Sequence, residues 1–224
     1  MKTVTLGILA LSVFLTACED PAANKPRAVT STSVSNTPAA TDKSPNQNPF
    51  ALMETTGTAL LISPEGSKIE FTGSKVTGKH DGGFRVFKGV IDLVNEKPEE
   101  SKVLVEIDAA SVFTDADGLT KHLQDSDFFE VQKHPKASFV STNIVPDAAK
   151  GADDYTVTGD LELRGQKKAV TFPATIKVGT ADVTVNADFS INRKDFGIVY
   201  AGRADDLIRD DVVIKLDLKA PRKP

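Results

Sequence analysis

The sequence predicts an all-β domain of consecutive antiparallel strands, interrupted once by a short helical stretch. Three observations carry this expectation. From about Gly57 to the C-terminal end, apolar and polar residues alternate with a period of two, which gives each strand one apolar face. The alternating segments are joined by short polar connections containing glycine, such as Arg164-Gly165-Gln166-Lys167-Lys168. Only "KHLQDSDFFEVQKHPKASF", Lys121 to Phe139, breaks the alternation, and it holds two of the chain's three histidines.

Taken in order, the chain opens with Met1-Lys2 and an apolar run from Val4 to Leu15. This is the charged start and apolar middle of an export signal, and it falls short of the roughly 20 apolar residues of a membrane span. The run ends in Leu15-Thr16-Ala17-Cys18, the form of a bacterial lipobox, and Cys18 is the sole cysteine of the 224 residues. Residues 1–18 are therefore expected to be a lipoprotein signal peptide, with Cys18 the lipidated first residue of the mature chain. The same single cysteine rules out an intramolecular disulfide and a cysteine-rich zinc site.

Residues 19–56 are rich in Pro, Ala, Thr, Ser and Asn, as in "PAANKPRAVTSTSVSNTPAATDKSPNQNP". Large apolar side chains are scarce, so little burial can offset the entropy of ordering. The expectation is a disordered tether with a reach of roughly 30 Å. The folded domain is expected over residues 57–222.

Within it, Thr58–Ile62, Ser67–Thr77, Gly83–Val94, Val103–Ile107 and Ala137–Ile144 read as strands. Later segments alternate more cleanly. Tyr155, Val157, Leu161 and Leu163 share one face; so do Val170, Phe172, Ala174, Ile176 and Val178. Val183, Val185, Ala187, Phe189 and Ile191 form a third face, and Val212, Ile214, Leu216 and Leu218 a fourth. Pro173 marks an edge or a bulge, because proline cannot donate to a ladder. The total is about nine strands against one helical stretch. Periodicity alone leaves a sandwich and a closed barrel open, and does not separate a filled core from a ligand cavity.

The helical stretch begins at Asp117-Gly118, with Asp117 as N-cap, and puts Leu119, His122, Leu123 and Ser126 on one face. Asp127 and Glu130 have the spacing of a capping box, so a second turn is expected to start there after a kink. The kink turns Phe128 back toward the core, and Pro135 ends the helical backbone. A metal site would want convergent ligands, yet His122 and His134 show no HxH or HExxH spacing. A nucleophilic site would want a serine on a sharp turn beside a histidine and an acid, and no G-x-S-x-G occurs. The reading favoured by the residues is a kinked helical cover, with Leu119, Leu123, Phe128 and Phe129 as its apolar seal. The net charge of −4, no tryptophan and two tyrosines argue against nucleic acid as a partner.

Four motifs resemble the YceI family of lipocalin-like, polyisoprenoid-binding proteins: "HLQDSDFFEVQKHPKASFVST", "IEFTGSKVTGKHDGGFRVFKG", "VTGDLELRGQKKAVTFPATI" and "FSINRKDFGI". They occur in the family's order and span roughly Thr58 to Ala220. The resemblance implies an extended antiparallel lipocalin-like β-barrel of about eight strands, with a short kinked helix at one end. It implies a long apolar interior that takes an isoprenoid chain or a similar amphiphile, and no catalytic step. The acids of the last loop, Asp205, Asp206, Asp210 and Asp211, disfavour an anionic head group.

On that reading the cavity residues are Phe71, Phe84, Val105, Ile107, Phe113, Leu119, Leu123, Phe128, Phe129, Phe139, Leu161, Phe172, Ile176, Val185, Phe189 and Phe196. The bland alternative for each phenylalanine is plain core packing. His122 and Arg193 are the candidates for head-group contact. Against this, Arg193 and Asp195 also suit an ion pair or bonds to loop backbone, and His122 a half-buried, satisfied histidine. No cofactor is expected beyond a bound lipid such as a polyisoprenoid or an isoprenoid quinone. The expected function is an exported, lipid-anchored binding protein on the periplasmic side of a bacterial envelope. Its partners are the amphiphile and, through the anchor, the membrane; pairing into a homodimer stays open. Two rival readings are a ligand-free envelope-stress barrel acting through protein contacts, and a lipid-modifying enzyme.

Overall fold

A computed structural model describes residues 19–33, 50 and 55–222. Residues 1–18, the expected signal peptide with Cys18, and the stretch between the two larger segments apart from residue 50, lie outside the described residues. Along the chain the strands are β1 (Val29–Thr32), β2 (Thr58–Ile62), β3 (Lys68–Lys75), β4 (Gly78–Phe84), β5 (Phe87–Leu93), β6 (Lys102–Asp108) and β7 (Val112–Thr114). The helix α1 (Asp117–Gln124) follows. Then come β8 (Lys136–Pro146), β9 (Asp154–Leu163), β10 (Gln166–Val178), β11 (Asp182–Asn192), β12 (Gly202–Arg203), β13 (Asp206–Leu207) and β14 (Asp211–Pro221).

One curled antiparallel sheet holds twelve of these, in the order β2-β5-β6-β8-β9-β10-β11-β14-β3-β4-β7, with β1 attached to β10; β12 and β13 form a separate hairpin. β2 comes back against β14, so the sheet wraps round on itself. The all-β lipocalin-like architecture holds, with more strands than the expected eight or so. The excess has local causes. The Gly83–Val94 segment, read as one strand, is two: the ladder breaks at Arg85-Val86, where β4 pairs with β3 and β7 while β5 pairs with β2 and β6. β7 has only 3 residues, too few to show a period.

The Arg164-Gly165 turn between β9 and β10 has both residues at positive φ, 51° and 69°. This is the primed-turn backbone that matches strand twist, so the two strands ladder continuously from Gln166↔Leu163 to Thr175↔Asp154. It also fixes which end of β10 lies near α1, since the Arg164 guanidinium donates to the carbonyls of Ser126 and Gly197.

The largest departure is at the N-terminus. Residues 19–33 are not a free tether. β1 pairs antiparallel with β10, from Val29↔Thr171 to Thr32↔Lys168. On its other side Arg27 bridges Ser190 in β11; the Ala28 amide donates to the Ser190 carbonyl, and the Ser190 amide to that of Pro26. β10 and β11 pair directly only from Thr175↔Asn186 to Val178↔Val183. Toward α1 the two strands diverge, and the strap fills the gap. Pro173 sits between the last β1 register position, Thr171, and the first of β11, Thr175. A residue without an N–H is tolerated at such an interruption.

Side chains pin the strap as well. Lys25 pairs with Asp188, Arg27 with Asp211 and Asp20 with Arg209. Thr30 donates to Asp195 and Ser33 to Asp160. Composition misled here because the strap buries little of its own: Ala22 and Ala28 alone go inside. Its order comes from strand edges that already exist, which supply partners without a hydrophobic face.

The helical stretch also differs in detail. Ala116, not Asp117, is the N-cap, and no side chain caps it. Asp127 and Glu130 do not form a capping box. The backbone turns left-handed at Glu130 (φ 49°), so a second helical turn cannot start there. Asp127 instead bonds His122, and Glu130 pairs with Lys133. The kink does return Phe128 to the interior, where it is buried with Val112, Leu123 and Ile198.

Candidate functional site: an apolar cavity closed by α1

The inward faces of the curled sheet enclose a cavity of about 400 Å³, within the ~300–1,000 Å³ usual for small-ligand sites. Fourteen of the sixteen sequence-predicted cavity residues line it. From the wall come Phe71, Phe84, Val105, Ile107, Phe139, Leu161, Phe172, Ile176, Val185 and Phe189. Leu119, Leu123, Phe128 and Phe129 close it on the α1 side.

The rings are held by one another. Phe172 stacks on Phe189 at 4.2 Å and 7° between planes, and Phe139 leans on Phe172 at 5.7 Å. At the α1 end Phe71, Phe84 and Phe129 form a second chain, 6.0 and 5.7 Å apart in turn. Gly159 lets Phe139 lie flat, since a Cβ there would stand 2.3 Å from the ring.

The remaining two candidates fall elsewhere. Phe113 faces the outer side, where the Arg85 guanidinium sits 4.3 Å over its ring. It belongs to β7, and without that strand its facing could not be assigned. Phe196 is fully buried and packs into the core without reaching the cavity, because the 3-10 turn Arg193–Phe196 points it inward behind the wall. Sequence reasoning missed Ile69, Val103, Ile144, Val157, Ile214 and Leu218 as lining residues. Val157, Ile214 and Leu218 had been placed on apolar faces; extending that alternation to cavity lining would have included them.

The lining turns polar only at the α1 end, at Gly73, Ser74, Lys75, His80 and Arg193. The basic side chains there are already engaged. Lys75 pairs with Asp206 of β13, and its hydrogen bond holds that carboxyl below the usual carboxylate range. His80 Nδ1 lies 2.8 Å from Asp115, whose carboxyl it lowers in the same way. Arg193 is buried, and burial pushes its guanidinium pKa down.

Arg193 does not pair with Asp195, which accepts from Thr30 of the strap. It donates to the carbonyls of Ile198 (2.7 Å), Arg209 (3.0 Å) and Ile208 (3.3 Å), and reaches Asp210 at 3.4 Å. It thus pins the loop between β11 and β14 across the cavity end. His122 does not line the cavity. It packs edge-on against Phe128 and Tyr200, with Nε2 3.0 Å from Asp127. Among the described residues no three of His, Cys, Asp and Glu converge as metal ligands would.

Comparison with known proteins places this geometry in a family. Residues 61–220 match the YceI-like domain. A UPF0312 protein of Pseudomonas putida (strain W619) is 33% identical over 180 residues, covering 71% of this chain and 92% of that protein. Among solved structures, BcnA of Burkholderia cenocepacia superposes with a TM-score of 0.63 at 25% identity, over 71% of this chain and 99% of that one. A domain from Saccharophagus degradans, described as polyisoprenoid-binding, gives 0.59 at 18% identity over 74% and 98%. The chain belongs to the YceI-like family.

Proposed function

We propose that this YceI-like protein is an exported, lipid-anchored carrier that holds a polyisoprenoid, or an amphiphile with a similar tail such as an isoprenoid quinone, inside its sheet. The observation that carries the reading is the cavity itself, apolar from the far strand ends to the α1 cover. Each methylene moved from water into such a lining is worth about 0.8 kcal/mol, so a long tail outweighs the cost of ordering it. The polyisoprenoid-binding Saccharophagus domain shares the fold and supports the same ligand class. Leu15-Thr16-Ala17-Cys18 supports export and anchoring.

The test is to purify the full chain from its membrane and extract it for mass spectrometry. A stoichiometric isoprenoid-tailed lipid is expected. Ile176→Trp, which overfills the cavity, is expected to lose that lipid while keeping its circular dichroism spectrum. If wild type carries no lipid and takes up none from vesicles, the carrier reading fails. Cys18→Ser should release the chain into the soluble fraction; retention on the membrane would remove the anchor.

A further inference from the structure

The strap changes what the anchor does. A tether of residues 19–56 would hold the barrel well clear of any lipid. In the structure the order begins almost at once: Asp20 is fixed by Arg209, and its Oδ1 accepts from the Ala22 amide. Arg209 donates its own amide to the Ser74 carbonyl, two residues before Val76 at the tip of the β3–β4 hairpin. Asp20 is thus held one arginine side chain from Ser74, and an attachment two residues before it can stand at most ~7 Å from Asp20.

The same end of the barrel carries an unusual surface. Val76 at the hairpin tip, Leu207 in β13 and Val199 in the loop between β11 and β12 are 55%, 49% and 64% exposed. They form one rim. The Val76 amide donates to the Leu207 carbonyl, Lys75 bridges Ile208, and the Ile208 amide donates to the Ala201 carbonyl, drawing Val199's loop in. Directly beneath lie Ile198, Ile208 and Lys75, which line the cavity end. Charge does not choose the partner here: Lys79 and Arg203 are exposed, but so is Asp205. What remains is an apolar rim, around the polar end of an apolar cavity, next to the start of the strap.

We propose that this rim rests in a lipid surface. The strap acts as a short leash that holds the barrel α1-end first against the bilayer, with Val76, Val199 and Leu207 entering the acyl boundary. A lipid then passes between bilayer and cavity without crossing water. This inference rests on the lipid-anchored reading above, and it fixes which face of the carrier meets the membrane.

The full lipidated chain in phosphatidylcholine vesicles with brominated acyl chains tests it. A fluorophore is placed on Val76→Cys, on Leu207→Cys and, at the opposite end of the sheet, on Val145→Cys; all three positions are exposed. Quenching several-fold stronger at 76 and 207 than at 145 is expected. Equal quenching at the three positions, with the chain still bound to the vesicles, overturns the orientation and leaves the anchor standing. Such a result would leave the rim to a protein partner or a second copy. A chain that never binds vesicles overturns the anchored reading itself. A Gly/Ser spacer of about 20 residues between Glu19 and Asp20 is expected to bring quenching at 76 down toward that at 145 with membrane retention unchanged. Undiminished quenching would overturn the leash.

Discussion

The seam between β10 and β11 is built in two ways. In its far half, Thr175–Val178 and Val183–Asn186 ladder directly, and Ile176, Val183 and Val185 are buried behind them. In its near half the strands diverge, and the strap joins them through backbone bonds and partly exposed ion pairs. Buried polar atoms with no hydrogen-bond partner among the described residues include two on the strap's ion-pair partners, Asp188 Oδ1 and Arg209 Nε. Burial of apolar area backs both halves, through Val170, Phe189 and Ile191 in the second, and responds little to moderate salt. Paired charges at intermediate exposure hold much of the second, and these are individually weak and screened. The wall of the cavity is thus firm away from α1 and lightly fastened beside it.

The largest expected effect is that of Phe172→Ala, at the border between the two halves, which removes the ring stacked on Phe189 and touching Phe139. It is expected to cost about 3–5 kcal/mol of unfolding free energy, with the loss equal at low and high salt in denaturant melts. Next is Arg193→Ala, which leaves the carbonyls of Ile198, Ile208 and Arg209 without their donor. The expected cost is ~1–3 kcal/mol, with faster hydrogen exchange confined to residues 197–210. Smaller still, Lys25→Ala and Arg27→Ala should each cost less than about 1 kcal/mol. Their exchange should rise at residues 168–171 and not at 175–178, and added salt should reproduce the effect in wild type. If both halves of β10 respond alike, the division is wrong.

Acid gives the smallest effect. The Lys75 ammonium, by its hydrogen bond, depresses the Asp206 carboxyl. A depressed carboxyl stabilises the fold above its unfolded value, near ~3.9, and that contribution is lost as pH falls through the lower folded value. The β12–β13 hairpin should therefore loosen from the β3–β4 tip only below the usual carboxylate range, as followed by the resonances of Val76 and Leu207. Loosening already at neutral pH would contradict the assignment.

Most of the sheet was readable from the chain because a half-buried strand must alternate, and β9, β10, β11 and β14 do so without interruption. The cavity was readable for the same reason, since inward positions follow from period two. What escaped notice shares a cause. β1, β7 and the capping at Asp127 are decided by partners distant in sequence or by a single backbone torsion, and neither leaves a periodic trace. Phe113 and Phe196 were placed in the cavity by residue type; their neighbours in space put one outside and the other behind the wall. Arg193 was readable as an arginine with loop backbone as one partner, and only the fold shows which carbonyls.

The strap also constrains the order of folding. β1 leaves the ribosome before the other described strands, yet its partners are the tenth and eleventh of them. Its contacts are among the least local in the molecule, so they form only after the intervening loop has been closed and β9 through β11 stand. Until then the near edge of β10, Lys168 to Thr171, offers unpaired backbone to any other chain. A chain trimmed to the family-matched residues 61–220 would never cover that edge. It should fold, and it should self-associate on gel filtration where the strapped chain stays monodisperse.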